Sequence, residues 1–401
     1  MTSAPPSRDK LLGEGDFLSW SSLLTDTEHQ ALMRQRRFLV EKAQPALAEH
    51  WDQGLTPHVL REEYVREGLV RPAELPAGED LRPLFVGVRN AELSRMDGSL
   101  AILIGGQIGM FNTVMRVGLP EQEYANLRPE IEEFRVTGCF ALTEPEHGSD
   151  VAGGLSTSAE RRGDTWVLRG EKKWIGNAEL SQVLLVAAVD TADAQVKVFR
   201  VPADAPGVDI ERMTGKTSLR MVGNARIRLH EVEVAEEMRL PRINSFADLN
   251  RAFRQLRPDV VWNAVGLQAG VYEHTLAYAR EREQFGRPIA GFQLVQEKLA
   301  RMLGNLNASL GVAVRLAQRE EETGAPVSQA EAALAKSWVT RQMRETAALG
   351  REILGGNGIL LEHHVARFHA DAESLYTFEG TYEINSLIVG RAVTGRSAFT
   401  T

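Results

Sequence analysis

Near its C-terminus the chain reads Tyr376-Thr377-Phe378-Glu379-Gly380-Thr381-Tyr382-Glu383-Ile384, which sets one carboxylate between an aromatic ring and a glycine. That is not a helix-capping pattern. A carboxylate flanked by apolar groups holds its proton more tightly than one in water, which suits a base that must take a weakly acidic proton near neutrality. Gly380 removes a side chain where a substrate would pass. On the residues alone, a solvent-facing loop glutamate is the plainer account of Glu379.

Four further segments are unusual in composition. Cys139-Phe140-Ala141-Leu142-Thr143-Glu144-Pro145-Glu146-His147-Gly148-Ser149-Asp150 offers a hydroxyl and free amides that can hydrogen-bond a planar heterocycle and an anionic group; a Gly-Ser turn is the alternative. Gly170-Glu171-Lys172-Lys173-Trp174-Ile175-Gly176-Asn177 carries a tryptophan that is otherwise read as core. Arg280 to Arg287, then Phe292-Gln293, reads as a charged helix end and a turn, or as a solvated face. Its guanidinium groups suit a diphosphate because each donates two parallel hydrogen bonds. Gly355-Gly356-Asn357-Gly358 follows a long helical stretch and can expose backbone amides, or simply end the helix.

Together, from about Asn90 to Thr394, these segments resemble the acyl-CoA dehydrogenase family, and LGGNGI, FEGT and LIVGRAVTG resemble its glutaryl-CoA dehydrogenase-like branch. The resemblance implies an FAD enzyme that dehydrogenates an acyl thioester between Cα and Cβ. Glu379 would take the α-proton while flavin N5 receives the β-hydride. Phe140, Leu142, Thr143, Gly148, Ser149, Trp174, Ile175 and Gly176 fall on flavin-contacting positions. Arg282, Phe285 and Gln293 fall on those for the FAD pyrophosphate and adenine. Glu352, Gly355 and Gly356 fall on the loop that closes over the neighbouring subunit's FAD, and Thr381 and Glu383 also match cofactor positions. Ser149, Arg220, Arg257 and Gly380 would meet the substrate, with Arg257, read as preceding a helix that begins near Asp259, on the CoA side.

Three positions depart from the pattern. Gly176 stands where the family has a threonine whose hydroxyl reaches the flavin N5 edge. Ala101 stands where glutaryl enzymes carry the arginine for the distal carboxylate, and Ser94 where they carry an acidic pocket residue. A buried unpaired carboxylate is costly, so an acyl group other than glutaryl is expected at Ser94 and Ala101. The family also implies a homotetramer, built as a dimer of dimers, and an electron-transfer flavoprotein as acceptor. Gly176 admits a rival, an oxidase or monooxygenase using oxygen. A carrier-protein thioester is an alternative to CoA, and a non-catalytic binding module is a further rival that Glu379 argues against.

The elements that must hold these segments follow from the rest of the sequence. The chain has 401 residues, 43% of them hydrophobic and 25% charged, with a formal net charge of −8. That is enough for a large core, and the acidic balance argues against a nucleic-acid or anionic-membrane partner. The single Cys139 allows no internal disulfide and points to a reducing, cytoplasmic setting. Residues 1–10 read as a polar tail. Gly98 to Leu119 is apolar but broken by Gln107, Asn112 and Arg116, so a buried helix is expected there rather than a membrane span. His363, His364 and His369 with Asp371 match no metal-ligand spacing, and no G-x-G-x-x-G follows a strand.

Hydrophobic periods divide the chain into an N-terminal helical domain (1–137), a central β-domain (138–244) and a C-terminal four-helix bundle (245–401). The expected class is α+β, mainly α, with a barrel-like centre. Arg36, Val40, Ala43 and Leu47 form an early stripe broken at Pro45. TWVLRGEKKW, QVLLVAAV, VKVFRV and ARIRLHEVEV read as strands, with Ile227 and Leu229 alternating against Arg226, Arg228 and His230. Val295, Leu299, Met302, Leu306, Leu310, Ala313 and Ala317 mark a long helix, and Ser328 with Glu331 forms a capping box for the next.

Overall fold

The computed structural model describes residues 11–76 and 78–398, so the expected tail at 1–10 lies outside it. Helices lead: α1 (Asp26–Phe38), α2 (Gln44–Gln53), α3 (His58–Arg66), α4 (Pro83–Met96), α5 (Gly98–Gly105), α6 (Asn112–Gly118) and α7 (Glu121–Glu132). A β-rich stretch follows, with β1 (Gly138–Ala141), the single turn α8 (Val151–Gly154), β2 (Ser158–Arg162), β3 (Thr165–Ile175), β4 (Val183–Asp190), β5 (Val196–Pro202), β6 (Val208–Arg212) and β7 (Ala225–Ala235). The C-terminal helices are α9 (Phe246–Glu281), α10 (Gln293–Thr323), α11 (Gln329–Ile353), α12 (Val365–Thr377) and α13 (Tyr382–Thr394). This is the helix, sheet, helical-bundle order that the hydrophobic periods predict.

Internal contacts gather the chain into two units, which cut it differently from the three zones of the sequence. One takes the chain up to Ile102, Thr217–Met221 and everything from Arg257; the other takes Leu103–Lys216 and Val222–Leu256.

In the first unit, Arg36, Val40, Ala43 and Leu47 are all buried. A π-helical turn at Leu39–Ala43 joins α1 to α2, and Pro45 follows it in the first turn of α2. Six of the periodic residues of α10, from Leu299 to Ala317, are buried. The capping box of α11 is complete: Ser328 Oγ accepts from the Glu331 amide at 3.2 Å, and Glu331 accepts from the Ser328 amide at 2.8 Å. Two glycines of α9 admit the backbone of α4. A Cβ on Gly266 would lie 2.1 Å from the Ala91 carbonyl, and one on Gly270 would lie 2.5 Å from that of Arg95. The same contact carries charge. Glu92, fully buried, accepts from Arg36 at 2.9 Å and from Arg95 at 3.1 Å, and Arg95 also pairs with Glu273.

The second unit is built on a curled sheet of seven strands, ordered β1-β4-β2-β3-β7-β6, with β5 on β4. Both faces of its centre are buried. Leu184, Val186 and Ala188 pack with Cys139, Ala141, Trp166 and Phe199. Leu185 and Ala187 face the other way, against Phe111, Val114, Leu249 and Leu256 from the helices. Burial on two faces explains why QVLLVAAV reads as one apolar run. In β7, Ile227 and Leu229 are buried while Arg226, Arg228 and His230 are not, so the expected alternation holds. β6 escaped the sequence reading because Val-Asp-Ile-Glu-Arg is half polar, as suits an edge strand paired only with β7. Gly98 to Gly118 is helical with a π turn at Gly106–Phe111, and Leu100, Leu103, Ile104, Phe111 and Val114 in it are inaccessible to solvent.

Candidate active site

Between α12 and α13 the chain turns through Glu379 at φ 54° and Gly380 at φ 91°. A side-chain-bearing residue in the left-handed region costs roughly 1–3 kcal/mol and persists only where its surroundings force it. Here they do. Lys336, buried on α11, donates to the carbonyls of Tyr376 at 3.1 Å, Phe378 at 2.7 Å and Gly380 at 2.5 Å. Asn385 Nδ2 donates to the carbonyls of Gly380 at 2.8 Å and Thr381 at 3.0 Å. Thr381 Oγ1 caps α13 by accepting from the Ile384 amide at 3.3 Å. The rings of Tyr376 and Tyr382 stack across the turn, 5.7 Å apart and 10° from parallel.

Glu379 as a residue is only partly buried, yet its Oε2 is shielded from solvent and accepts no hydrogen bond from any described residue. Burial raises its pKa to about 8, the Asp259 carboxylate adds to the rise, and Lys336 and Arg257 oppose it. Asp259 is itself held by Asn90 Nδ2 at 3.0 Å. Arg257 is buried, and its position corrects the sequence reading. It does not precede a helix; it lies inside α9, one residue before Pro258. Proline withdraws one amide from the helical ladder, so on local grounds a helix boundary is expected there.

In the second unit, Lys172 Nζ stands 2.8 Å from Glu144 Oε1, with 0% and 1% of the two side chains exposed. Glu144 also accepts from the amides of Ser156 at 2.7 Å and Thr157 at 2.9 Å. Burial pushes this carboxyl up, but the Lys172 ammonium and these hydrogen bonds hold it down to about 2. Lys172 donates to the Leu142 carbonyl as well, and the Lys173 amide donates to that of Thr143 at 2.8 Å. The 142–150 loop is thereby fastened along β3. Trp174 follows at φ 65°, where the pairing of β3 with β7 shifts register between Lys172 and Ile175. The kink leaves the indole 53% exposed, and Asn224 Nδ2 holds the Trp174 carbonyl at 3.3 Å.

The remaining candidates are placed as follows. Phe140 and Ile175 spend their side chains in the core, Phe140 against Phe253 at 6.5 Å, so only their backbones are left for a ligand. Gly148 and Ser149 are exposed. Gly176 tolerates a Cβ, which would meet Val222 at 3.5 Å and Asn224 at 3.7 Å, ordinary contacts. Arg282, Phe285 and Gln293 lie exposed around a tight hairpin after α9, with Phe285 at φ 53° and Gly286 at φ 78°. Gly355 and Gly356 are exposed after α11, Glu352 pairs with Lys298, and Glu383 lies in the first turn of α13. Ser94 is buried and donates to the Asn263 carbonyl at 2.7 Å, and Ala101 is buried. Arg220 donates to the carbonyls of Trp51 and Asp52 and lies over the Trp51 ring at 5.2 Å.

The sequence reading passed over Lys336, Asp259, Asn90 and Asn224. Lys336 did leave a signal: it shares a helical stripe with the buried Ala332, Thr340 and Met343, where a lone ammonium needs partners.

Comparison with known proteins decides the family. The profile described as "Acyl-CoA dehydrogenase, C-terminal domain" matches residues 246–394, and "Acyl-CoA dehydrogenase, middle domain" matches 139–232. A Bacillus subtilis (strain 168) protein described as a probable acyl-CoA dehydrogenase is 33% identical over 285 residues, covering 68% of this chain and 72% of the relative. The chain belongs to the acyl-CoA dehydrogenase family. It is accordingly an oxidoreductase of the class acting on CH–CH bonds. Its fold agrees. The crystal structure of glutaryl-CoA dehydrogenase from Mycobacterium smegmatis superposes with a TM-score of 0.89 at 32% identity, over 96% of this chain and 99% of that one. A second structure of a glutaryl-CoA dehydrogenase from that organism, in complex with FADH2, gives 0.89 at 29% identity over 96% and 98%.

The residues present in this acyl-CoA dehydrogenase fit a flavin. An indole of ordinary core character is turned out to solvent by a strained backbone, beside a loop in which Gly148 and Ser149 are exposed and whose base is fastened by a buried ion pair. Glu379 Oε2 adds a buried carboxylate oxygen without a hydrogen bond from a described residue, an open acceptor that native structures rarely leave without a reason.

Proposed function

We propose that the enzyme dehydrogenates an acyl thioester other than glutaryl-CoA, with FAD as cofactor and Glu379 as the base. FAD, when bound, supplies the acceptor for the hydride that leaves Cβ. Glu379 takes the proton from Cα, and the product is the α,β-unsaturated thioester. The shielded Oε2 of Glu379, held on a left-handed turn, carries this reading. Thr143, Ser149, Trp174 and Gly176 would hold the cofactor ring, and Arg282, Phe285 and Gln293 its diphosphate and adenine. Arg257 would orient the thioester end near Glu379.

The acyl group is argued from two side chains. Ser94 has its hydroxyl committed to Asn263, and Ala101 offers only a methyl group. Neither answers a distal carboxylate, and burying one without a partner would be costly. A homotetramer suits the exposed Phe285 and Leu294, at 93% and 77% exposure, which a subunit contact would cover. An electron-transfer flavoprotein would accept the electrons. Gly176 supports a second reading in which oxygen does so, because no hydroxyl fills the space beside it.

Anaerobic mixing of the purified protein with a panel of acyl-CoA and acyl-carrier-protein thioesters tests the proposal. Bleaching of the flavin band identifies the substrate. A colourless protein, or one bleached by no thioester, refutes it.

A further inference from the structure

Lys336 has a job that no packing requirement explains. It comes from α11 with its side chain entirely buried, and its three N–H groups point at three carbonyls that flank Glu379 in sequence. Three acceptors call for three donors and so favour the ammonium, against burial, which lowers the Lys336 pKa to about 8. Two of the carbonyls, Phe378 and Gly380, belong to the residues on either side of Glu379. The Phe378 carbonyl lies in the peptide plane that enters Glu379 and the Gly380 carbonyl in the plane that leaves Gly380, so Lys336 clamps both ends of the pair of left-handed residues.

We infer that Lys336 is the positioning residue for Glu379, its ammonium pinning the turn that presents the carboxylate. This rests on the reading of Glu379 as the base. The buried positive charge has a second effect, since it favours the ionised carboxylate over the neutral acid. The groups that face Glu379 are Arg257 and Asp259 from α9 and Lys336 from α11. Glu383 from α13 acts on Lys336 in turn. Asp259 opposes ionisation; Lys336 and Arg257 promote it.

The test compares wild type with Lys336→Met, Lys336→Gln and Lys336→Arg in the full-length protein. The Glu379 carboxyl is titrated by isotope-edited infrared spectroscopy, with Glu379→Gln as the blank; this needs neither bound flavin nor thioester. Removing the charge in Lys336→Met and Lys336→Gln should raise the midpoint by about one pH unit. Lys336→Arg should keep the midpoint within a few tenths, yet lower kcat at least tenfold with little change in KM, because a planar fork cannot serve three converging carbonyls. An unmoved midpoint in the Met and Gln variants, or wild-type kcat in all three, overturns the inference. So does a failure of all three to fold, which would make Lys336 a strut and nothing more. If no thioester bleaches the wild type while the midpoint still shifts, it is the dehydrogenase reading that fails.

Discussion

The Asp259 carboxylate, held by Asn90, opposes ionisation of Glu379, whose Oε2 is shielded from solvent. With burial, this holds the Glu379 proton up to a pKa of about 8. The base form is needed for turnover, so kcat/KM should rise about tenfold per pH unit below that point and level off above it. Asp259→Asn removes the like charge and should move this acid limb down by about one pH unit. A limb that stays put, or moves up, in a pH profile of the variant contradicts the assignment.

Glu379→Gln keeps the size of the side chain and removes its basicity. Turnover should fall about a thousandfold. Thioester binding, followed by perturbation of the flavin spectrum, should survive. Wild-type bleaching rates in this variant would place the base elsewhere.

Gly176 has an ordinary φ and a Cβ there makes only ordinary contacts, so Gly176→Thr meets no backbone obstacle. If the missing hydroxyl is what opens the site to oxygen, hydrogen peroxide release on aerobic turnover should fall in the variant, with anaerobic reduction by substrate preserved. Equal peroxide yields in both proteins would remove Gly176 from the account of oxygen reactivity.

The Lys172–Glu144 pair lies out of solvent under the 142–150 loop. Breaking one side of such a pair strands the other charge and costs about 3–5 kcal/mol. Glu144→Ala should therefore lower the midpoint of denaturant unfolding and loosen flavin retention together. A variant that loses stability and holds flavin as tightly as wild type would show that the pair braces the sheet alone.

Glutaryl-CoA and butyryl-CoA distinguish the acyl pocket. With Ser94 tied to Asn263 and Ala101 uncharged, butyryl-CoA should be the better substrate by kcat/KM. Fast turnover of glutaryl-CoA beside poor turnover of butyryl-CoA would reverse the conclusion.

Much of this protein is local and so could be read along the chain. The stripe in α10, the Ser328–Glu331 box and the alternation in β7 are set by residues a few positions apart, whose periods of 3.6 and 2 survive into the fold. The flavin and base segments were legible through resemblance, because their glycines and aromatics recur together in one order. β6 was not legible, since an edge strand buries too little to show a pattern. Nor was the passage of α9 through Pro258, where burial of the surrounding helix outweighs the local penalty.

The sequence by itself determined the succession of elements, the family they resemble and the glutamate that stands between Phe378 and Gly380. Only the tertiary structure decided what surrounds that glutamate. Lys336, Asp259 and Arg257 lie between 43 and 122 positions away from it along the chain. Electrostatic and hydrogen-bonding partners are chosen by distance in space, and a linear pattern carries that distance only within a helix turn or a strand pair.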